Sequence, residues 1–572
     1  MAETLVSPGV LARENDNTFI QQQPVEAGAA IVGPAVKGPV EIPTVVTSYT
    51  DYQNRFGTTL ESGSGEFTFL TSIAAYNYFQ NGGNSLLVTR VVSKSADWGY
   101  AQAVVNGADG TGSFTLEALD KGALLNNTSS ILSNGALDSG SKDNVRWEIS
   151  TANTSSGNFS LIIRRGDDND NSKVALETYT NLSLDPKADN YIAKVIGDQT
   201  LTYDSTENYI QVSGSYPNAS RYVRVKDVRP TLNYFDNAGN AKSAFVEYIP
   251  SVGSGSYGGS FGSGEGSNLP SGRVMNFYNN INSTDSQGLE SSDYSDMLSL
   301  LANQDDYRYN LLMLPGLTDQ AHSSTITTAI SNAQTRGDHL VVIDPVNYAS
   351  TLTQAKNEAA GRDTSYAAMY WPWLRTIDPD SGENVWVPAS TMMGGVFAFN
   401  DNAAEPWFAP AGINRGGLGT VISAERKLSA ANRDELYEAN VNPIATFPGT
   451  GVVVYGQKTL QKKSSALDRV NVRRLLIELK GFISQIGQNL VFEQNTAATR
   501  NNFLAQVNPY LESVQARQGL YAFKVIMDES NNTPDVIDRN QLIGQIYIQP
   551  TRTAEFIYLD FNLQPTGASF PA

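Results

Sequence analysis

The feature that most restricts the fold is an alternation of strand-like and helix-like segments that starts, stops and resumes. Between residues 29 and 94, AAIVG (29–33) and TVVTS (44–48) read as short buried strands. FTFLTSIAAYNYFQNGG (67–83) reads as a helix, because Leu70, Ile73, Ala74, Asn77 and Tyr78 follow helical spacing and Gly82 and Gly83 supply a stop. LLVTRVV (86–92) is again a strand. The pattern resumes after 285. SDYSDMLSLLANQ (292–304) predicts a helix with Ser and Asp at its start, and YNLLMLPG (309–316) a strand. A helix near 319–335 precedes the strand HLVVIDP (339–345), and a helix near 347–360 precedes AAMYWPW (367–373). Such alternation defines an α/β layer structure.

The stretch between, 95–285, is rich in Ser, Asn, Asp and Gly. Its short alternating runs, FSLIIRR (159–165), KVALETYT (173–180), NYIQVSG (208–214) and RYVRVKD (221–227), are separated by turn clusters, so it reads as β-rich. SVGSGSYGGSFGSGEGS (251–267) is a Gly/Ser loop. The simplest organisation is one α/β core domain, 23–94 plus 286–404, interrupted by an outward-facing β-rich insertion, 95–285. Four consecutive domains are the alternative, and a length of 572 residues accommodates either. Residues 405–572 form a last unit, with helices near 424–438, 467–486 and 496–513. Its strands are YAFKVIMD (521–528), IGQIYIQP (543–550) and EFIYLDFNL (555–563), which together predict a small α+β domain. Residues 1–22 are polar and extended and read as an arm. The expected fold class is therefore multidomain α/β and α+β: an interrupted α/β core, a β-rich insertion, and a C-terminal α+β domain carrying extended N- and C-terminal arms.

The residues offer little chemistry. The chain has no cysteine, which removes thiolate nucleophiles, disulfides and Cys-based zinc sites. Its two histidines, His322 and His339, suit surface or capping roles, and no G-x-S-x-G elbow or P-loop occurs. Gly253, Gly255 and Gly258 match G-x-G-x-x-G, but more Gly and Ser follow where a dinucleotide site needs a helix to begin. Asp167 to Asn171 resembles the start of a calcium loop, yet Ser172 and Thr178 stand where Gly and Glu are required; a solvated hairpin turn is the better reading. No catalytic, cofactor-binding or metal site is expected. A formal net charge of −18 argues against nucleic acid as a partner, and no apolar stretch of about 18 residues is available to span a membrane. The opening residues lack the basic and apolar regions of a signal peptide.

One segment departs from this acidic balance. Lys458, Lys462, Lys463, Arg469, Arg473, Arg474 and Lys480 lie close together, opposed only by Asp468 and Glu478. In the helix they overlap, Val472, Leu475, Leu476, Leu479 and Ile483 form an apolar stripe, which should leave Arg469, Arg473 and Lys480 facing away from it. Two readings stay open: a solvated face with local salt bridges, or a face held for an acidic partner surface.

Both ends of the chain resemble the sheath proteins of contractile phage tails. At the N-terminal side the resemblance rests on SPGVLARE, AAIVGPAVKGPVEIPTVVTSYTDYQNRFG and YFQNGGNSLLVTRVV. At the C-terminal side it rests on WVPAS (386–390), WFAPAGINRGGL (407–418), RDELYEANVNPI (433–444), LDRVNVRRLL (467–476) and NNTPDVIDRNQLIGQIYIQPTR (531–552). It covers about half the chain, and 95–285 carries little of it. The resemblance implies a structural subunit rather than an enzyme, with no cofactor. Six copies would ring an inner tail tube and stack helically in the virion, having assembled in the host cytoplasm. A baseplate trigger would collapse the stack and drive the tube through the host envelope for genome delivery. Partners implied are further copies of the chain, the tube protein, and baseplate and tail terminator proteins, with neither nucleic acid nor membrane insertion. Arms would add strands to neighbouring subunits, with Leu5, Val10, Leu11, Phe556, Tyr558 and Phe561 as candidates. Lys462, Lys463, Arg469, Arg473, Arg474 and Lys480 are candidates for contacting the tube. A tail-like bacteriocin or other contractile injection particle would use the same mechanics. A β-rich surface-layer or adhesion protein is the alternative from another class.

Overall fold

The stop-and-resume pattern has a spatial origin in one eight-stranded sheet. In a computed structural model describing residues 25–62, 65–94, 98–127, 130–253, 261–262 and 278–558, the strand order is Gly451–Val454, Val441–Phe447, Ala367–Trp371, Leu340–Asp344, Leu311–Thr318, Ala29–Gly33, Leu86–Arg90 and Thr44–Val46. The six inner strands run parallel, and the two edge strands are antiparallel. Leu312 aligns with Ala30 and Met313 with Ile31, so the sheet joins strands from before and after the 95–285 stretch.

The continuous apolar runs follow from burial on both faces. Because side chains alternate across a strand, Ile31, Val88, Met313, Val342 and Tyr370 point to one side, and Ala30, Leu87, Leu312, Val341 and Met369 to the other. Helices Tyr49–Phe56, Leu70–Gln80 and Ser390–Ala403 contribute to the first core. Helices Asp319–Arg336, Leu352–Ala360 and Ala430–Glu438 contribute to the second. Ser390–Ala403 approaches the sheet and the Leu70–Gln80 helix closely, and its glycines permit that: a Cβ on Gly394 would stand 2.7 Å from the Met313 sulfur, and one on Gly395 2.7 Å from the Asn77 carbonyl oxygen.

Several sequence readings shift. Two sheet strands, Val441–Phe447 and Gly451–Val454, lie beyond residue 405, where the α/β unit was expected to end. The pairing that recruits them is non-local, Val441 to Pro443 against Met369 to Trp371. The helix expected near 424–438 begins only at Ala430, where the Ser429 hydroxyl accepts the Asn432 N–H; Val421–Ala424 is a strand. The Tyr49–Phe56 helix went unread, although Ser48 caps it by accepting the Asp51 N–H at 3.1 Å.

The 95–285 stretch holds two three-stranded antiparallel sheets, Val145–Asn153, Asn158–Arg165 and Ala175–Ser183, and Tyr100–Asn106, Gly112–Lys121 and Val223–Val228. They share a core in which Phe114 stacks on Phe159 with ring centres 5.4 Å apart. The acidic turn after Arg165 joins two paired strands. Its Asp168 is buried, receiving Arg164 Nε at 2.7 Å and facing Arg146 at 3.3 Å. That carboxylate holds the hairpin from inside, where a solvated turn was expected. Gly255 and Gly258 of the glycine-rich motif lie outside the described residues.

Two long helices, Val470–Gln488 and Ala497–Ala516, form the C-terminal unit with the hairpin Leu520–Ile526/Gln545–Pro550. Leu475, Leu479, Ile486, Phe503, Val507 and Leu511 fill its core. The strand expected over 555–563 is not formed in its described part: residues 551–558 join no sheet. The chain is thus a multidomain α/β and α+β protein.

Candidate assembly site

The basic segment supplies the first components. The Val470–Gln488 helix divides its apolar residues between two cores: Val470 and Ile477 enter the sheet's core, while Leu475, Leu479 and Ile486 enter the C-terminal one. A helix wedged in this way buries part of its polar face as well. Arg473 and Arg474 are each only 4% exposed, whereas Arg473 was expected away from the apolar stripe on a solvated or partner-facing side. The Arg474 guanidinium grips Asp401 at 2.7 and 2.5 Å, a two-pronged pair at the end of the Ser390–Ala403 helix, and lies over the Phe397 ring. Arg473 lies 4.0 Å from the Tyr366 ring centre and donates to the Ser365 hydroxyl. Burial pushes its guanidinium below the ordinary arginine range. Both arginines are committed within the chain, where they tie the C-terminal unit to the sheet domain.

Arg469 also turns inward. Its Nε and Nη2 donate to Glu555 Oε1 and Oε2 at 2.7 and 3.0 Å, and Nη1 pairs with Asp468 at 3.0 Å. Tyr437 Oη donates to the same carboxylate at 2.5 Å and Gln457 Nε2 at 3.0 Å. Burial alone would raise the Glu555 carboxyl, but the hydrogen bonds from Arg469, Tyr437 and Gln457 outweigh it and hold the group below the ordinary glutamate range. Lys458 closes the cluster, its ammonium 4.4 Å from the Tyr437 ring centre and bonded to the Tyr437 carbonyl at 2.7 Å.

Three candidate cations remain exposed: Lys462, Lys463 and Lys480. Lys462 Nζ donates to the Ala360 carbonyl at 2.7 Å, at the end of the Leu352–Ala360 helix. Lys480 Nζ lies 3.4 Å from the Tyr366 hydroxyl. The cluster thus resolves into buried internal ties and a smaller lysine face.

The second component is a hairpin outside any larger sheet. Leu520–Ile526 and Gln545–Pro550 pair only with each other among the described residues, leaving an open edge on each strand. Tyr521 and Tyr547 are exposed on this hairpin. Beyond it, Phe556, Ile557 and Tyr558 are 68%, 75% and 87% exposed, an apolar run of the kind a monomer does not ordinarily display. Of the arm candidates, Phe556 and Tyr558 are placed here; Leu5, Val10, Leu11 and Phe561 lie outside the described residues.

Glu555, Tyr437, Gln457 and Asp401 were missed from sequence. Glu555 carried one usable signal, a lone carboxylate in the apolar run AEFIY of a chain with an unexplained basic cluster. The histidines are structural. His322 is buried, and its Nδ1 accepts the Thr318 N–H at 3.0 Å, a capping role; His339 is buried rather than at the surface, 2.9 Å from Asp338. Among the described residues no group of three or more His, Asp or Glu could hold a metal ion, and no helix is long and apolar enough to cross a membrane.

A doubly covered sheet tied to a unit with open strand edges and an exposed apolar run is suited to strand addition between chains. Comparison with known proteins gives the family. Residues 288–460 match the phage tail sheath protein central domain, and residues 462–564 match the phage tail sheath C-terminal domain. The tail sheath protein of Vibrio phage KVP40 is 37% identical over 243 residues, covering 42% of this chain and 35% of the relative. That of Enterobacteria phage T4 is 39% identical over 207 residues, covering 36% and 31%. Residues 288–460 and 462–564 thus carry domains of the contractile phage tail sheath family. The chain spans about a third of the length of these curated relatives. A crystal structure of a sheath tail protein from Listeria innocua shares the fold, with a TM-score of 0.52 at 11% identity over 92% of this chain and 95% of that one.

Proposed function

We propose that this chain is the structural subunit of a contractile tail sheath, acting through assembly and without catalysis. Six copies form a ring around an inner tail tube, and rings stack into a helical polymer held between baseplate and terminator proteins. Contraction of that polymer drives the tube through the host envelope. The observation that supports this reading is the open C-terminal unit, because its strand edges and apolar run are of the kind that strand addition from another copy covers. Head-to-tail contacts of that kind propagate into helices rather than closed dimers. Energy held in a kinetically trapped extended polymer can be released without a nucleotide.

The residues of the two components take different roles. Phe556 and Tyr558, with Leu5, Val10, Leu11 and Phe561 of the arms, link subunits. Lys462, Lys463 and Lys480 face the tube, since a hydrated charged contact breaks more readily than a packed apolar one. Residues 95–285 decorate the outer surface, which suits their polar composition.

Negative-stain microscopy of the purified full chain tests the reading. Tubes with a helical surface repeat are expected from the intact chain. A variant lacking residues 1–20 should remain a folded, dispersed subunit. Normal tubes from that deletion would remove the arm role, and the absence of any polymer from the intact chain would remove the sheath reading.

A further inference from the structure

Residues 551–558 are held in an unusual way. They join no sheet, yet residues 551, 553 and 555 are half-buried while 552, 554 and 556–558 are exposed. The inward residues are tied chiefly through side chains. Thr551 donates its hydroxyl to the Gln518 carbonyl at 2.7 Å and its N–H to the Gly519 carbonyl at 3.1 Å. Gln457 Nε2 reaches the Thr553 hydroxyl at 2.6 Å. Glu555 then receives Arg469, Tyr437 and Gln457 together. The alternation ends there, and three exposed apolar residues follow.

This arrangement differs from a strand in a sheet. A ladder would occupy the backbone N–H and C=O groups; a strap held by its side chains leaves a strand edge without a sheet partner. The last tie is also the strongest, a two-pronged guanidinium–carboxylate pair reinforced by two neutral donors. Its components come from three separate parts of the chain: Tyr437 lies in the last turn of the Ala430–Glu438 helix, Gln457 follows the sheet's edge strand, and Arg469 precedes the Val470–Gln488 helix. The carboxylate therefore fastens the segment to the junction between the sheet domain and the C-terminal unit.

We propose that Glu555 is a positioning residue for assembly. Arg469, Tyr437 and Gln457 latch it, and the latch sets the point and direction at which Phe556, Ile557 and Tyr558 leave the subunit to meet a second copy of this chain. Without it the same apolar residues would sample many directions, and each contact between copies would bear the cost of ordering them. The proposal rests on the sheath reading for its occupant, a second copy, and on the clamp geometry for the latch itself.

The experiment uses the full chain and two variants, Glu555→Ala and Glu555→Gln; the second retains a side chain of the same size that can still accept a hydrogen bond. Two quantities are measured. One is the rate at which trypsin, cutting after the exposed Arg552, releases the peptide beginning at Thr553. The other is the protein concentration at which polymer first forms. The latch protects the Arg552 bond, because a protease engages only the released segment. Glu555→Ala should release the peptide about tenfold faster or more, Glu555→Gln should fall between it and the native chain, and both should polymerise only at higher concentration. Unchanged cleavage in Glu555→Ala overturns the latch. Faster cleavage with an unchanged polymerisation threshold overturns the positioning role. If the native chain forms no polymer at any concentration, the sheath reading fails and the positioning role with it; native polymer with unaltered variants isolates the failure to this proposal.

Discussion

The central sheet and the C-terminal hairpin are both β-structure, but they are finished to different degrees. Each strand of the sheet is paired, its inner strands are covered on both faces, and Trp371, Met313 and Val342 are almost wholly buried. Among the described residues the hairpin has two strands, a free edge on each, and tyrosines in solvent. The sheet is complete within one copy. Among the described residues, the hairpin and the strap beyond it present unpaired edges and exposed apolar side chains. The proposed function puts stability in the first region and assembly in the second, so substitutions in the two should separate cleanly.

The largest difference should appear when an aromatic is removed from each. Trp371→Ala, in the sheet, should cost about 3–5 kcal/mol of subunit stability, the range for emptying a large buried site. Tyr547→Ala, on the hairpin, should change subunit stability by less than about 0.5 kcal/mol while impairing polymer formation. Thermal unfolding of the dispersed subunit, followed by microscopy, measures both. Equal losses of stability would abolish the distinction.

A smaller effect concerns the tie between the regions. Asp401→Ala leaves Arg474 buried without its carboxylate. Asp401 is partly exposed, so the expected loss is about 1–3 kcal/mol rather than the full cost of breaking a buried pair. Denaturant unfolding should show it, and the corresponding Arg469→Ala loss should be smaller, since that pair meets more solvent. The reverse order would mean that the strap, and not Arg474, holds the C-terminal unit in place.

Acidity should move the two regions in opposite directions. Burial pushes the Asp344 carboxyl up to about 7, although Ser390 donates to it from the start of the Ser390–Ala403 helix. A carboxyl raised on folding binds its proton more tightly in the folded chain. Its favourable contribution is therefore present at low pH and lost as pH rises from the ordinary aspartate value toward 7, by on the order of a few kcal/mol. Asp344→Asn should flatten that slope in unfolding measurements. Glu555 is held below its ordinary value, so its contribution is present at neutral pH and lost as pH falls through the depressed value. Acid should loosen the strap while favouring the sheet. Identical pH profiles for native chain and Asp344→Asn would show that this buried carboxyl is not the source.

The smallest effect belongs to the lysine face. Reversing Lys463 and Lys480 together should leave subunit stability within about 0.5 kcal/mol. It should leave polymerisation of the chain alone intact and weaken assembly of extended polymer on tubes. Extended assembly unaffected by the reversal would exclude these lysines as the tube contact.

How much was legible in the sequence follows the same division. Ala29–Gly33, Leu340–Asp344 and Ala367–Trp371 were readable because burial on both faces writes uninterrupted apolar runs. The Val441–Phe447 strand was not, because membership of the sheet depends on pairing with Ala367–Trp371, which leaves no mark near 441. Arg473 and Arg474 look like solvated cations on a helical wheel. Only the second packing surface, supplied by Phe397, Asp401 and Tyr366, shows that they are internal. The alternation at Phe556 and Tyr558 did predict a strand. A strand needs a partner, however, and among the described residues one copy supplies none.

Hydrogen exchange on dispersed subunit and on polymer, compared residue by residue, tests most directly that assembly occurs through the unfinished region. Amides of the sheet strands should be equally slow in both states, since they are already paired. Amides of Leu520–Ile526, Gln545–Pro550 and residues 551–558 should exchange rapidly at their open edges in the subunit and become strongly protected in the polymer. Polymer in which residues 545–558 exchange as fast as in the free subunit would contradict assembly through this edge.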